Sequence, residues 1–124
     1  MKLAVMAFAA LFAASVAVSA EGAGPAAPQL RCEVGPVIRR FGGTDWLVYS
    51  CDDGRSMVVL STEKNPAAPF YFLLTPASAG YRIDGEGNGN KQASDAAGDD
   101  LARMSAADFV NLLAETRRAA DRTH

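Results

Sequence analysis

The chain is poor in the residues that most often carry chemistry. It has one histidine, His124, and two cysteines, Cys32 and Cys51. Without an internal imidazole, no serine or cysteine has a ready base beside it, so nucleophilic catalysis lacks half of its usual pair. A zinc site takes four ligands, commonly cysteine and histidine, and these residues cannot supply one. The cysteines are also far from the C-x-x-C spacing that tunes a redox thiol. Charge of one sign is missing too: 12 Lys and Arg stand against 14 Asp and Glu, a formal net charge of -2. That excludes the basic footprint of a nucleic-acid binder. No catalytic residue, metal ligand or cofactor motif is expected, and the chain reads as a non-enzyme.

What is present begins with the first twenty residues. Lys2 precedes an uncharged apolar stretch, Leu3 to Val18, and Val18-Ser19-Ala20 has the small residues that a signal peptidase reads. Residues 1–20 are therefore expected to be a signal peptide cleaved after Ala20. A spanning anchor needs about 20 mostly apolar residues, and this stretch is shorter and ends in a cleavage-like site. No cysteine stands at the cleavage point to carry a lipid. No later stretch is long and apolar enough to span a membrane, so no insertion is expected after cleavage. The expected location is periplasmic or secreted.

Removing 20 residues from 124 leaves 104, and losing Lys2 makes the net charge -3. That is one small domain, of a size at which a covalent staple helps stability. In an oxidising compartment the cysteine pair is expected to form a Cys32–Cys51 disulfide.

Residues 21–29 (EGAGPAAPQ) have linker composition, and residues 30–124 carry the domain. Strand period runs through Leu30 to Ile38, with Leu30, Cys32, Val34 and Ile38 in phase and Pro36 marking an edge or bulge. A turn over Arg39 to Thr44 leads to a strand Asp45 to Cys51, with Leu47, Tyr49 and Cys51 opposite Trp46 and Val48. Asp52-Asp53-Gly54 is a strong hairpin signal. Further strands are expected at Arg55 to Thr62, Phe70 to Thr75 and Tyr81 to Asp84, with a glycine-rich loop over Gly85 to Asn90. Phe70 to Thr75 is apolar on both faces, which predicts a central or covered strand. A short helix is expected over Ser94 to Arg103. A longer one runs from Ala106 to about Asp121, with Phe109, Leu112, Leu113 and Thr116 on one face. The predicted fold class is α+β: an antiparallel meander of four to five strands with one or two C-terminal helices packed on it.

Few residues stand out as a site. Gly85 to Lys91 has glycines and a lysine suited to an anion nest, but matches neither the dinucleotide nor the P-loop spacing. Asp52 and Asp53 are adjacent in a turn and point apart. The aromatics lie on strands, where Trp46 and Tyr71 are candidates for a contact surface as well as for the core. The expected function is a small exported, non-catalytic binding or envelope-associated protein, with a protein partner in the envelope or extracellular space.

Tyr49-Ser50-Cys51-Asp52-Asp53-Gly54-Arg55, followed by Met57-Val58-Val59, resembles the opening strands of the bacterial periplasmic inhibitors of c-type lysozyme. Ser78-Ala79-Gly80-Tyr81 is similar to a shortened form of that family's later serine segment. The resemblance covers residues 48–91. It implies a small exported β-barrel that pushes a loop serine and a later lysine into the lysozyme cleft, roles that fall on Ser78 and Lys91. The family's later Trp-x-x-Gly strand and closing cysteine have no counterpart here.

Overall fold

The computed structural model describes residues 29–122. The leader at 1–20, most of the 21–29 linker and His124 lie outside the described residues. The chain runs β1 (Val34–Phe41), β2 (Thr44–Ser50), β3 (Met57–Ser61), β4 (Phe70–Ala77), β5 (Gly80–Gly87), α1 (Lys91–Ala102) and α2 (Ala106–Arg122). The strands form one antiparallel sheet in the order β1-β2-β3-β4-β5. With the two helices after it, the fold is the α+β meander that the sequence predicts.

Turn chemistry sets the hairpins. Gly42 and Gly43, with φ of 62° and 81°, join β1 to β2. Asp53 organises the next turn: its carboxylate accepts the Arg55 and Ser56 amides at 2.9 and 2.7 Å and the Ser56 hydroxyl at 2.6 Å. Burial pushes the Asp53 pKa upward, but the Ser56 and Arg55 hydrogen bonds outweigh it and hold the group below its ordinary value. Asp52 receives the Arg31 amide at 3.2 Å. Both carboxylates are thus committed to the backbone.

The first strand departs from expectation. It continues through Arg39 and Arg40 to Phe41, so the turn is confined to Gly42-Gly43. Its register shifts between Val34, opposite Ser50, and Val37, opposite Val48. This bulge holds the cis Gly35–Pro36 bond. One extra residue inverts the in-and-out alternation. Ile38 therefore does not stay in phase with Val34: it is 61% exposed, while Phe41 is buried.

The core lies between the sheet and the helices. Trp46, Val48, Met57, Val59, Phe72 and Leu74 point inward from β2, β3 and β4 and meet Ala97, Leu101, Phe109 and Leu112. Burying side chains of this kind stabilises by roughly 1.5–3 kcal/mol each. Tyr81 stacks on Phe109 with centroids 4.6 Å apart. α1 starts at Lys91, three residues earlier than its composition predicts, because Asn90 caps it by accepting the Ala93 amide at 3.0 Å. α2 opens on a capping box in which Ser105 and Asp108 exchange bonds of 2.8 and 3.1 Å. It buries Phe109, Leu112, Thr116 and Ala119, while Val110 stays 63% exposed.

Three contacts pin α2 to the sheet. The buried hydroxyls of Ser50 and Thr116 are 2.7 Å apart. Arg117 donates to the Gly54 carbonyl at 2.9 Å, and Arg39 pairs with Glu115. The Cys32–Cys51 disulfide ties the segment before β1 to the end of β2. Closing that loop of roughly 20 residues is worth about 3 kcal/mol in the chain-entropy model.

α1 is seated on the β1–β2 turn. The Gly42 amide donates to the Asp100 carboxylate at 2.6 Å. A Cβ at Gly42 would stand 2.5 Å from the Ala97 nitrogen and 2.7 Å from the Ala96 carbonyl carbon, whereas one at Gly43 would meet nothing within 4 Å. Gly42→Ala is expected to lower the denaturation midpoint clearly more than Gly43→Ala. The latter should cost only the left-handed backbone strain of about 1 kcal/mol. Equal costs, measured by urea denaturation, would mean that the turn does not seat the helix.

Candidate functional site

The helices cover one face of the sheet. The strands present a second face, and it too is apolar. Paired positions run across it as a row: Ile38 opposite Leu47, Leu47 opposite Leu60, and Leu60 opposite Tyr71. A second row joins Tyr49, Val58 and Leu73. On β5 the rows end in acids, since Glu86 pairs with Tyr71 and Asp84 with Leu73. Every one of these apolar side chains is half-buried or exposed, with Leu60 at 39% and Tyr71 at 40%.

The β3–β4 loop, residues 62–69, forms a wall at one end of this face. Asn65 fixes it, donating to the Asp45 carbonyl at 2.7 Å and accepting the Ala67 amide at 2.8 Å. The Asn90 amide reaches the Pro66 carbonyl at 3.0 Å, and the Asn88 amide reaches that of Pro69 at 3.1 Å. Wall and sheet enclose two adjoining hollows of about 550 and 610 Å³ that share Leu60, Ser61, Thr62 and Glu63. The first is floored by Leu60 and Tyr71 and bordered by Glu63 and Glu86, with Ala68, Pro69 and Phe70 also in its lining. The second holds Ile38, Leu47, Asp45 and Lys64.

Charge on this face is partly cancelled. Arg40 pairs with Asp45 at 2.9 Å, and Arg82 with Asp84 at 2.9 Å. Among the described residues no cation pairs with Glu63 or Glu86. Glu86 instead accepts the Tyr71 hydroxyl at 2.8 Å. That bond, with the negative charge behind it, raises the Tyr71 pKa above its ordinary value.

The residues singled out from sequence fall in separate places. Tyr71 lies on the floor of the open face. Trp46 does not: it is fully buried, packs on Phe70 and Phe72, and donates to the Phe41 carbonyl and the Thr44 hydroxyl. A contact role for Trp46 is therefore corrected to a core role, since its indole has no surface and its N–H is satisfied within the fold. Ser78 is exposed in the β4–β5 turn, and Lys91 opens α1 in a 2.7 Å pair with Asp95. The eight residues of β5 stand between them, a strand length of roughly 25 Å.

The glycine-rich segment is corrected as well, because β5 continues to Gly87. A Cβ at Gly85 would press on the Phe70 and Phe72 rings, and one at Gly89 on the Ala67 and Ala68 backbone. These glycines let chains pack closely. Sequence reasoning missed Ile38, Leu47, Leu60, Glu63 and Glu86 as site residues. The second apolar phase of β2 and β3 was the available signal for Leu47 and Leu60; no local pattern marked Ile38, Glu63 or Glu86.

Among the described residues no group of three or more His, Cys, Asp or Glu is placed to hold a metal ion, and no helix is long and apolar enough to cross a membrane. No protein-family model, curated protein or solved structure matches this chain. The geometry of the open face therefore carries the functional argument.

The Tyr71–Glu86 bond gives a direct check. Glu86→Ala removes both the acceptor and its charge, so the Tyr71 phenol should titrate at lower pH than in the parent. Absorbance at alkaline pH, with Tyr71→Phe to assign the transition, reads this; an unchanged titration would mean that the pair does not form in solution.

Proposed function

We propose that this chain is a small exported, non-catalytic binding protein that contacts its partner through the outer face of its sheet. The observation that carries the reading is the apolar row Ile38, Leu47, Leu60 and Tyr71 facing solvent beside a fixed wall. Contiguous exposed apolar surface on a small protein marks an interaction site. The floor offers aliphatic and aromatic contacts, and its phenol is held by Glu86, a mix of groups suited to recognition. Export is supported by the leader pattern at 1–20 and by the Cys32–Cys51 bond, since such bonds persist in oxidising compartments.

A second reading, inhibition of a lysozyme-like hydrolase, draws on the resemblance over residues 48–91 and on the exposure of Ser78 at a turn. The separation of Ser78 from Lys91 along β5 weighs against one cleft taking both.

Two measurements test the proposal. Mass spectrometry of the product expressed from the full sequence should place its N-terminus at Glu21; an intact Met1 end would refute export by this leader. Crosslinking in envelope extract should capture a partner with the parent, and with Ser78→Ala and Lys91→Ala. Leu60→Arg should reduce the yield at least tenfold. Leu60 is partly exposed, so this change should leave the melting temperature near that of the parent. The reverse pattern, together with suppression of lysozyme-driven lysis, would favour hydrolase inhibition.

A further inference from the structure

The outer face has a shape and a charge that select among partners. We infer that it takes an extended peptide segment of another protein, with apolar side chains on the floor and a lysine or arginine between Glu63 and Glu86. This rests on the reading of the outer face as the contact surface and adds the chemistry of the occupant.

Length is the first argument. The row from Ile38 to Glu86 crosses all five strands. At about 4.8 Å per spacing that is roughly 19 Å, the reach of about six extended residues. The two hollows share their Leu60–Glu63 border and so form one trough along this row. Its wall is braced by Asn65 from within and by the backbone amides of Asn88 and Asn90 after β5. Hydrogen bonds that brace a wall in advance lower the ordering cost of binding.

Charge is the second argument. Both arginines on this face are already paired, Arg40 with Asp45 and Arg82 with Asp84. Glu63 and Glu86 border the same hollow, and no cation borders it with them. Lys64 belongs only to the other hollow, which also holds Asp45. Tyr71 donates to one Glu86 oxygen, which fixes the carboxylate and leaves its charge uncancelled. Beside an apolar floor, a cation on the ligand satisfies both acids. A second copy of this acidic chain is the poorer complement, because Arg40 and Arg82 are paired and, among the described residues of this trough, only Lys64 is left to meet two acids.

The probe is a fluorescein-labelled hexapeptide with leucines at alternate positions and a lysine at each end. Fluorescence polarisation with the 21–124 chain should give saturable binding. Replacing both lysines by glutamate should weaken it at least tenfold, and replacing the leucines by serine should weaken it comparably. In Glu63→Gln/Glu86→Gln the lysine and glutamate peptides should bind within threefold of each other, with the melting temperature kept. Equal affinity of the parent for both peptides, or binding of neither, would overturn the inference. So would sedimentation showing a dimer that Leu60→Arg converts to monomer, since a second copy would then hold the face. If Leu60→Arg abolishes partner capture while the parent shows no charge preference, the contact surface stands and the cationic peptide falls.

Discussion

A single antiparallel sheet has two faces, and among the described residues this chain has helices for one of them. Everything else follows from which face they take. Trp46, Val48, Met57, Val59, Phe72 and Leu74 share the inward phase, and Phe109, Leu112, Ala97 and Leu101 close over them. The choice is enforced by polar groups as well as by area. Ser50 and Thr116 are both buried; Thr116 donates to the Leu113 carbonyl of its own helix and accepts from Ser50, so a different seating of α2 would strand the Ser50 hydroxyl at a cost of about 1–3 kcal/mol. Arg117 on Gly54 and the Gly42 amide on Asp100 fix the helices at two corners of the sheet. Asp100 is held below the ordinary carboxylate range, first by that amide bond and then, against burial, by Arg103. Its contribution is present at neutral pH and fades as acid protonates it.

The consequence is an outer face that keeps its apolar character but gains no cover among the described residues. Most half-solvated antiparallel sheets turn polar side chains outward. Here β2, β3 and β4 send out Leu47, Tyr49, Val58, Leu60, Tyr71 and Leu73, and polar groups gather only at the rim. The β3–β4 loop converts this surface into a trough, with Glu86 toward one end and Glu63 on the border its two hollows share. The same covering constraint thus builds both the stable core and the open apolar trough.

Much of this was legible from the residues. Period-two alternation gave the β2 and β3 phases, Asp52-Asp53-Gly54 gave the second hairpin, and Ser105 to Asp108 marked the start of the last helix. The cysteine spacing agreed with the first hairpin. Other features were hidden for definite reasons. The bulge at Gly35-Pro36 changes the phase of β1, so Ile38 joins the outer row although parity with Val34 placed it elsewhere. Arg39 and Arg40 look like turn residues, yet Arg39 lies inward with its charge met by Glu115. Trp46 and Tyr71 could not be sorted from sequence, because both phases of their strands are apolar and only the seat of α2 decides between them. Glu63 and Glu86 meet at one hollow through loop geometry that no local pattern encodes.

The central claim is that the Ile38, Leu47, Leu60 and Leu73 face is open to solvent while the Val48, Val59 and Leu74 face is sealed. Methyl NMR of the 21–124 chain with a soluble nitroxide measures this directly. The account predicts strong broadening of the first set and protection of the second. Protection of both sets would contradict it, because the outer face would then already be covered.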